Sequence, residues 1–292
     1  MTENSRIQEF ITFPKTFEKY RWYKPILVFI IGTILTILFS AVLSVIFSKF
    51  IGMDLTSSIL NGGYEILGTE MGQIFTDLGI IAIIPSLYIA SRIVGDRPFS
   101  SYASSRGGWN FKLYLKALII PFILYIIFLA IDTFIKGPQG TYHFSIVFLI
   151  ISLILVPLQC IAEEYAYRGL IMQTFGSWFS IPVLAVALQA ILFALSHSYN
   201  IEGVIEVLIS GLIMGYFAWK TNGIEVSSAL HTANNLSISI FIMLGLQSAT
   251  SSPPLSDVAI SIVFEIFLAA VMYYVINKTE WLSEVNENTL YA

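Results

Sequence analysis

Three short polar motifs lie within otherwise apolar sequence, and their side chains are of the types that can activate water. They are EEYAYR with Glu163, Glu164 and Arg168, FALSH with Phe193 and His197, and HTANN with His231 and Asn235. A carboxylate beside a histidine can act as a general base towards water. A second imidazole and a carboxamide can donate hydrogen bonds to a developing oxyanion. Such a set of groups suits hydrolysis of an amide bond, with water as the nucleophile.

Helical spacing separates the roles of these residues. Residues four apart share a face of a helix, so Glu164 is placed to pair with Arg168, and His231 lies over Asn235. Glu163 projects about 100° away from Glu164 around the helix axis. We therefore expect the two carboxylates to differ, with Glu164 neutralised by Arg168 and Glu163 free to face another group.

The elements that must position these residues are membrane helices. The 292-residue chain is 56% hydrophobic and 12% charged, and its mean hydropathy is +0.78. Soluble domains carry about a quarter charged residues, and spanning a bilayer takes about 20 mostly apolar residues. We predict an all-α polytopic membrane protein of about eight transmembrane helices, with the active site buried among helices 4, 5 and 7. The helices begin near Pro25, Gly72, Leu113, Phe144, Ile181, Gly203, Val226 and Asp257.

Counting from the turns places the motifs at similar depth. The segment GSWFSIP joins helices 4 and 5, and Glu163 and His197 lie 15 and 19 residues from its middle at Trp178. At about 1.5 Å per residue, antiparallel neighbours bring the two to within roughly 6 Å of the same depth. His231 is expected about 8 to 12 Å from His197 along the bilayer normal. The counts permit one buried cluster, and charges at that depth usually pair or have a function.

Basic residues predict the orientation, because they favour the cytoplasmic side of a membrane. On one side we count Arg6, Lys15, Lys19, Arg21 and Lys24 before helix 1, Arg92, Arg97, Arg106 and Lys112 between helices 2 and 3, Arg168 after helix 4, Lys220 near the 6–7 turn and Lys278 after helix 8. The opposite loops hold Lys49 and Lys136. We predict a multi-pass protein of a bacterial plasma membrane with both termini cytoplasmic, and a retained first helix in place of a cleaved signal peptide.

The three motifs, in this order, resemble EExxxR, FxxxH and HxxxN of the CAAX prenyl protease 2 and bacteriocin-processing (CPBP, or Abi) family of intramembrane proteases. The resemblance implies that Glu163 and His197 activate the attacking water, and that His231 and Asn235 form the oxyanion hole. It also implies a supporting set, which is Glu164, Arg168 and Phe193. The segment RPFSSYASSR before helix 3 is similar to bacterial members as well.

The resemblance divides a single integral membrane domain, 1–292, into three parts. Residues 1–110 carry two transmembrane helices, 111–245 form the family-like protease core, and 246–292 hold the last helix and a short tail. We expect the lipid bilayer and a peptide or lipidated-protein substrate as partners, with no nucleic acid and no cofactor. Eukaryotic relatives act after a prenylated cysteine; this chain looks bacterial, so a leader peptide or another short membrane-bound peptide is the expected substrate.

Three alternatives remain open from the sequence. A zinc-dependent metalloprotease could use Glu163, His197 and His231 as its ligands. A cysteine protease could use Cys160, the single cysteine of the chain. A non-catalytic bacteriocin-immunity or scaffold protein could bind a partner within the membrane without cleaving it. Isolated acids, among them Asp77 and Glu265, are expected to be structural or to face a cavity.

Overall fold

Long helices make up most of the chain. The computed structural model describes residues 9–51, 69–250, 252–279 and 281–282. The main helices are α1 (Lys24–Ile51), α2 (Glu70–Val94), α3 (Phe111–Lys136), α4 (Ile146–Phe179), α5 (Pro182–Leu195), α6 (Ile201–Lys220), α7 (Glu225–Met243) and α8 (Leu255–Lys278). The predicted charge at Arg6 and most of the predicted C-terminal tail lie outside the described residues.

Six of these helices, α1 to α4, α6 and α8, are long and apolar enough to cross a membrane. Helix α5 has 14 residues, so it rises about 21 Å and falls short of the roughly 30 Å hydrocarbon core. Helix α7 is long enough but is not among these candidate spans. The prediction of an all-α polytopic membrane protein is confirmed, whereas the count of eight spans is not.

Helix α7 lies at the centre of the bundle. Of its 19 residues, 14 are buried, and it packs against α3, α4 and α6. Because protein surrounds it in place of lipid, this helix can carry polar side chains that would be costly against a lipid environment. Helix α1 is the opposite case, since it is mostly exposed and packs along α2 at the edge of the bundle.

Helix α4 continues through the EEYAYR motif, which corrects the expectation that Arg168 follows the end of helix 4. The segment Tyr165–Met172 is wound as a π-helix, and α-helical geometry resumes at Gln173. Wider π turns inside an α-helix are rare and occur frequently at functional sites. Arg168 therefore lies within the helix and is fully buried there.

One end of the bundle is covered by two stretches of chain that each contain a short helix, Phe13–Thr16 and Ser100–Ala103. The segment before α1 buries Phe10 and Ile11, and the Phe10 backbone N–H donates to the Asn222 side chain at 3.1 Å. The connection between α2 and α3 forms an isolated antiparallel bridge between Ser104 and Gly223. Both stretches therefore contact the turn between α6 and α7, which fixes the start of the central helix.

Candidate active site

The ion pair between Glu164 and Arg168 is present and fully enclosed. Arg168 Nη1 donates to Glu164 Oε1 at 2.8 Å, and both side chains have 0% exposure. The guanidinium also donates to the Gly211 carbonyl of α6 at 3.4 Å and lies 4.4 Å from the centre of the Phe193 ring. A buried charge needs such compensation, because taking it from water costs several kcal/mol. The pair thus joins α4, α5 and α6 at one point.

His231 lies between the two glutamates. Its Nδ1 is 3.0 Å from Glu164 Oε1, and its Nε2 is 3.3 Å from Glu163 Oε2. The imidazole is 5% exposed and the Glu163 side chain 13% exposed. Both ring nitrogens donate to ionised carboxylates only when the ring is an imidazolium. In that state Glu163, Glu164, Arg168 and His231 carry two negative and two positive charges, so the centre is neutral.

This arrangement changes the contact expected for Glu163, and its expected role stays a prediction. The helical period predicts that the two carboxylates point in different directions, and they do approach His231 through different nitrogens. However, Glu163 and Glu164 share one partner, and Glu163 does not face a separate group of its own. In the described part of the chain, Glu163 makes no ion-pair contact with His197.

His197 follows the C-terminal end of α5, and its ring is held in one orientation. Its Nδ1 is 2.8 Å from the Phe193 carbonyl oxygen. Because a carbonyl only accepts hydrogen bonds, Nδ1 carries the proton, and Nε2 of the neutral ring is then an acceptor. The Phe193 ring meets His197 edge-on at 4.8 Å and His231 at 5.8 Å, measured between ring centroids. Phe193 therefore separates the two imidazoles and supports both.

Asn235 lies one helical turn beyond His231 and contacts α4. Its Nδ2 donates to Gln159 Oε1 at 3.3 Å, and its Oδ1 accepts from Asn234 Nδ2 at 3.2 Å. Sequence reasoning missed Gln159, although its position four residues before Glu163 places it on the same face of the helix. The Cys160 thiol is buried and lies 3.4 Å from the same Gln159 oxygen, so it is enclosed beside the site.

The connection between α2 and α3 provides a second layer of buried polar contacts. From the sequence, this connection is identified only as the segment RPFSSYASSR, which is similar to bacterial members of the family. Arg97 donates to the Gln173 side chain and to the Gly169 carbonyl, and its guanidinium lies 3.7 Å from the centre of the Tyr102 ring. Burial raises the pKa of Tyr102 to about 12, so its phenol stays neutral. Arg97 thereby links the connection between α2 and α3 to the π-helical part of α4.

A second arginine of the same connection supports the central helix. Arg106 Nη2 lies 2.8 Å from Glu225 Oε2 at the first residue of α7, and both side chains are buried. The Asn110 backbone N–H donates to the other carboxylate oxygen of Glu225 at 3.0 Å. The sequence signal for this layer is a pair of arginines, Arg97 and Arg106, flanking an apolar and small-residue segment.

The predicted residues are thus brought together on three helices. One contacting cluster contains Glu163, Glu164, Arg168, Phe193 and His231. His197 joins this cluster through Phe193, and Asn235 joins it through α4. The acids given no catalytic role are not part of this cluster, although Asp77 lies within electrostatic range of Glu163. Asp132 pairs with Lys136, and Asp77 is buried on α2.

The residues do not form a site for the alternative zinc ion. Among the described residues, no three His, Cys, Asp or Glu side chains are grouped so that they could hold a metal. Both nitrogens of His231 lie against carboxylates, and Nδ1 of His197 is used by the Phe193 carbonyl. A ligand set of Glu163, His197 and His231 is therefore not assembled, and no catalytic step is derived through a metal.

The fold and the site together define a polytopic helical membrane protein with a buried carboxylate–imidazole centre. Residues 144–237 match the family described as type II CAAX prenyl endopeptidase Rce1-like. The matched segment runs from the start of α4 to α7 and includes every residue of the cluster.

One relative shares most of the chain. The uncharacterized protein YyaK of Bacillus subtilis (strain 168) is 29% identical over an alignment of 227 residues, and the alignment covers 73% of this chain and 73% of the relative. No solved structure matches this protein significantly. The family therefore supports a membrane peptidase, and the individual roles within the site depend on the geometry described above.

Proposed function

We propose that this protein is an intramembrane peptidase that hydrolyses a peptide bond of a membrane-associated peptide, with water as the nucleophile. The observation that carries the proposal is His231, which is held between Glu163 and Glu164 at 3.3 and 3.0 Å. A charge-balanced centre buried among helices of a CAAX endopeptidase family has the groups needed for general-base catalysis and for oxyanion stabilisation.

In the first step, Glu163 takes a proton from the attacking water. Its side chain is the more exposed of the two glutamates, at 13% against 0%. His197 orients the same water through Nε2, the ring nitrogen left as an acceptor by the Phe193 carbonyl. The water oxygen forms a bond to the carbonyl carbon, and the carbonyl oxygen becomes an oxyanion.

The proton transfer also prepares His231 for its role. Once Glu163 is protonated, its carboxyl group no longer attracts the imidazolium Nε2–H, which is then free to donate to the oxyanion. Glu164 keeps hold of Nδ1, and Arg168 keeps Glu164 ionised in its fixed position. Asn235 supplies the second donor after its Nδ2 exchanges Gln159 for the oxyanion.

In the second step the tetrahedral intermediate collapses. The carbon–nitrogen bond breaks, and the proton held by Glu163 passes to the leaving amine. The products are a carboxylic acid and an amine, and the centre returns to its starting charges. No metal takes part in either step.

The expected substrate is a short membrane-bound peptide, such as a leader peptide or a lipidated protein terminus. The description of the matched family as a CAAX prenyl endopeptidase supports the lipidated terminus. We propose a plasma-membrane location with both termini cytoplasmic, which puts the basic residues before α1 and between α2 and α3 on the same side.

The test is the substitution Glu163→Gln, which removes the base and changes the side-chain volume little. We expect cleavage to fall by about 10²- to 10⁴-fold, as loss of a general base does. The measurement is a comparison of peptides released from membranes that carry either form, repeated with purified protein after metal stripping by a chelator.

The matched control is Glu202→Gln, because Glu202 is an acid in the first turn of α6 that has no role in the proposed mechanism. It should retain full activity. Unchanged cleavage by the Glu163→Gln variant would refute the proposed mechanism, and activity that is lost with the chelator and restored by zinc would refute its metal independence.

A further inference from the structure

A second polar cavity lies beside the candidate active site, between α3, α6, α7 and α8. The space between these helices is partly open to the surroundings. Its lining includes Tyr125, Phe128, Glu206, Asn234, Phe264 and Glu265. A smaller recess adjoins it and shares Tyr125 and Glu265 with it. None of these residues takes part in the mechanism proposed above.

Among the described residues, no cation lies within ion-pair distance of two acids in the wall of this cavity. Glu265 is 8% exposed; one carboxylate oxygen accepts from Ser210, and the other has no hydrogen-bond partner in the described part of the chain. Glu206 is half-buried on the neighbouring helix. Neither acid lies within ion-pair distance of a described Lys, Arg or His side chain. A buried carboxylate is costly unless it takes up a proton or pairs with a cation, so a bound positive charge is one way to stabilise these two acids.

The basic residue nearest in sequence to the α3 residues of the cavity is Lys136, and it forms ion pairs with other acids. Lys136, at the end of α3, lies 2.8 Å from Asp132 and 2.9 Å from Asp257. Its ammonium group is thus held at the helix end by two other acids. Lys136 is therefore not available to the cavity, and a positive charge there would come from a bound group.

The remaining walls suit the stem of a long basic side chain. The rings of Phe128 and Phe264 stack with their centroids 4.2 Å apart, and Tyr125 meets Phe264 edge-on at 4.9 Å. Lysine and arginine bury their methylene stems along apolar surface and keep the charged end among polar groups. Aromatic rings also attract a cation. An apolar wall beside two carboxylates therefore matches a basic side chain better than a neutral one.

The cavity is linked to the candidate active site at two points. Asn234 lines the cavity, and its Nδ2 donates to Oδ1 of Asn235, the proposed oxyanion donor. The ring of Tyr199 packs 5.6 Å from that of His197 and lies in electrostatic range of both Glu163 and Glu206. A group bound at Glu206 and Glu265 would thus belong to a residue near the bond that is cleaved.

We propose that this cavity binds the basic side chain, lysine or arginine, of a substrate residue close to the scissile peptide bond. The proposal rests on the proposed peptidase function and defines its substrate class as membrane-associated peptides with a basic residue beside the cleavage site. Glu206 and Glu265 bind the charged end, and Tyr125, Phe128 and Phe264 contact the stem.

The experiment uses the full-length protein and membrane-anchored peptides that differ at one position. A single lysine is moved through successive positions, and each peptide is paired with one that has norleucine there, which keeps the stem and lacks the charge. At one position we expect kcat/KM to be about tenfold or more higher for lysine, since charge-assisted hydrogen bonds are strong. Glu206→Gln and Glu265→Gln should each reduce this ratio, and Glu202→Gln, an acid of α6 outside the cavity, should not.

Binding separates this proposal from the peptidase function. The inactive Glu163→Gln variant should bind the lysine peptide more tightly than the norleucine peptide, as measured by fluorescence anisotropy, and the preference should fall when Glu206→Gln is added. Binding selectivity without cleavage by the wild type would support the cavity and refute the peptidase. Equal cleavage of both peptides at every position would refute the cavity assignment and leave the peptidase intact. Stabilisation by Na⁺ or Ca²⁺ without lysine selectivity would refute the proposal and would indicate that the cavity binds a metal ion.

Discussion

The arginine of the EEYAYR motif has a structural task that a lysine could not take over. Arg168 contacts a carboxylate, a backbone carbonyl and an aromatic face at once. A planar guanidinium can satisfy these three partners, whereas an ammonium is a single compact charge. The residue therefore positions Glu164, and through it His231, without touching the substrate itself.

Substitution of Arg168 should destabilise the protein strongly. Arg168→Ala leaves Glu164 as an unpaired buried charge, and breaking a buried pair in this way costs about 3 to 5 kcal/mol. Thermal unfolding of the detergent-solubilised protein measures the loss. Arg92→Ala is the control, because Arg92 is exposed on α2 and surface substitutions usually change stability by about 0.5 kcal/mol or less. Equal unfolding temperatures for the two variants would contradict a supporting role for the pair.

At the scale of elements, the π-helical segment of α4 depends on close contact with the chain between α2 and α3. The contact is made at Gly169, where a Cβ atom would lie 2.6 Å from the Tyr102 carbonyl oxygen. That distance is too short for any real side chain, and the opposing atom belongs to the backbone. A glycine here allows the two elements to touch, and Arg97 then bridges them.

The substitution Gly169→Ala should push these two elements apart. We expect lower thermal stability, and lower cleavage activity because Arg168 and Glu164 lie on the same helix segment. Gly79→Ala in α2 is the matched control, since a Cβ there would meet only the Ser40 hydroxyl at 3.8 Å. Alanine is favoured over glycine in a helix by about 1 kcal/mol, so the control should be as stable as the wild type or more so. A stable, fully active Gly169→Ala variant would show that this contact is dispensable.

Contacts within one helix could be predicted from the sequence, whereas contacts between helices could not. The Glu164–Arg168 pair was predictable, because a spacing of four residues fixes a shared face within one helix. The insertion of His231 between two glutamates was not, since it depends on how α7 packs against α4. Gln159 and the Arg106–Glu225 pair were missed for the same reason: each acts through another element far along the chain.

At the scale of the whole molecule, the predicted orientation can be tested by labelling introduced cysteines, because the single native cysteine is buried. Cys160 is fully buried, so a water-soluble thiol reagent should not label the wild type. A cysteine at Lys19, which is exposed before α1, should be labelled only after the membrane is permeabilised. A cysteine at Gln139, which is exposed in the α3–α4 connection, should be labelled in intact cells. The reverse labelling pattern would mean that the termini lie on the outer side.

The location of the proposed proton transfers has a consequence for how the enzyme would respond to the membrane voltage. A voltage across a bilayer acts on any charge that moves through it, by about 2.3 kcal/mol per elementary charge for each 100 mV. In the proposed cycle the proton passes only between water, Glu163 and the leaving amine, all within one small centre. Almost no charge is displaced along the membrane normal, so hydrolysis would proceed at the same rate in energised and de-energised cells.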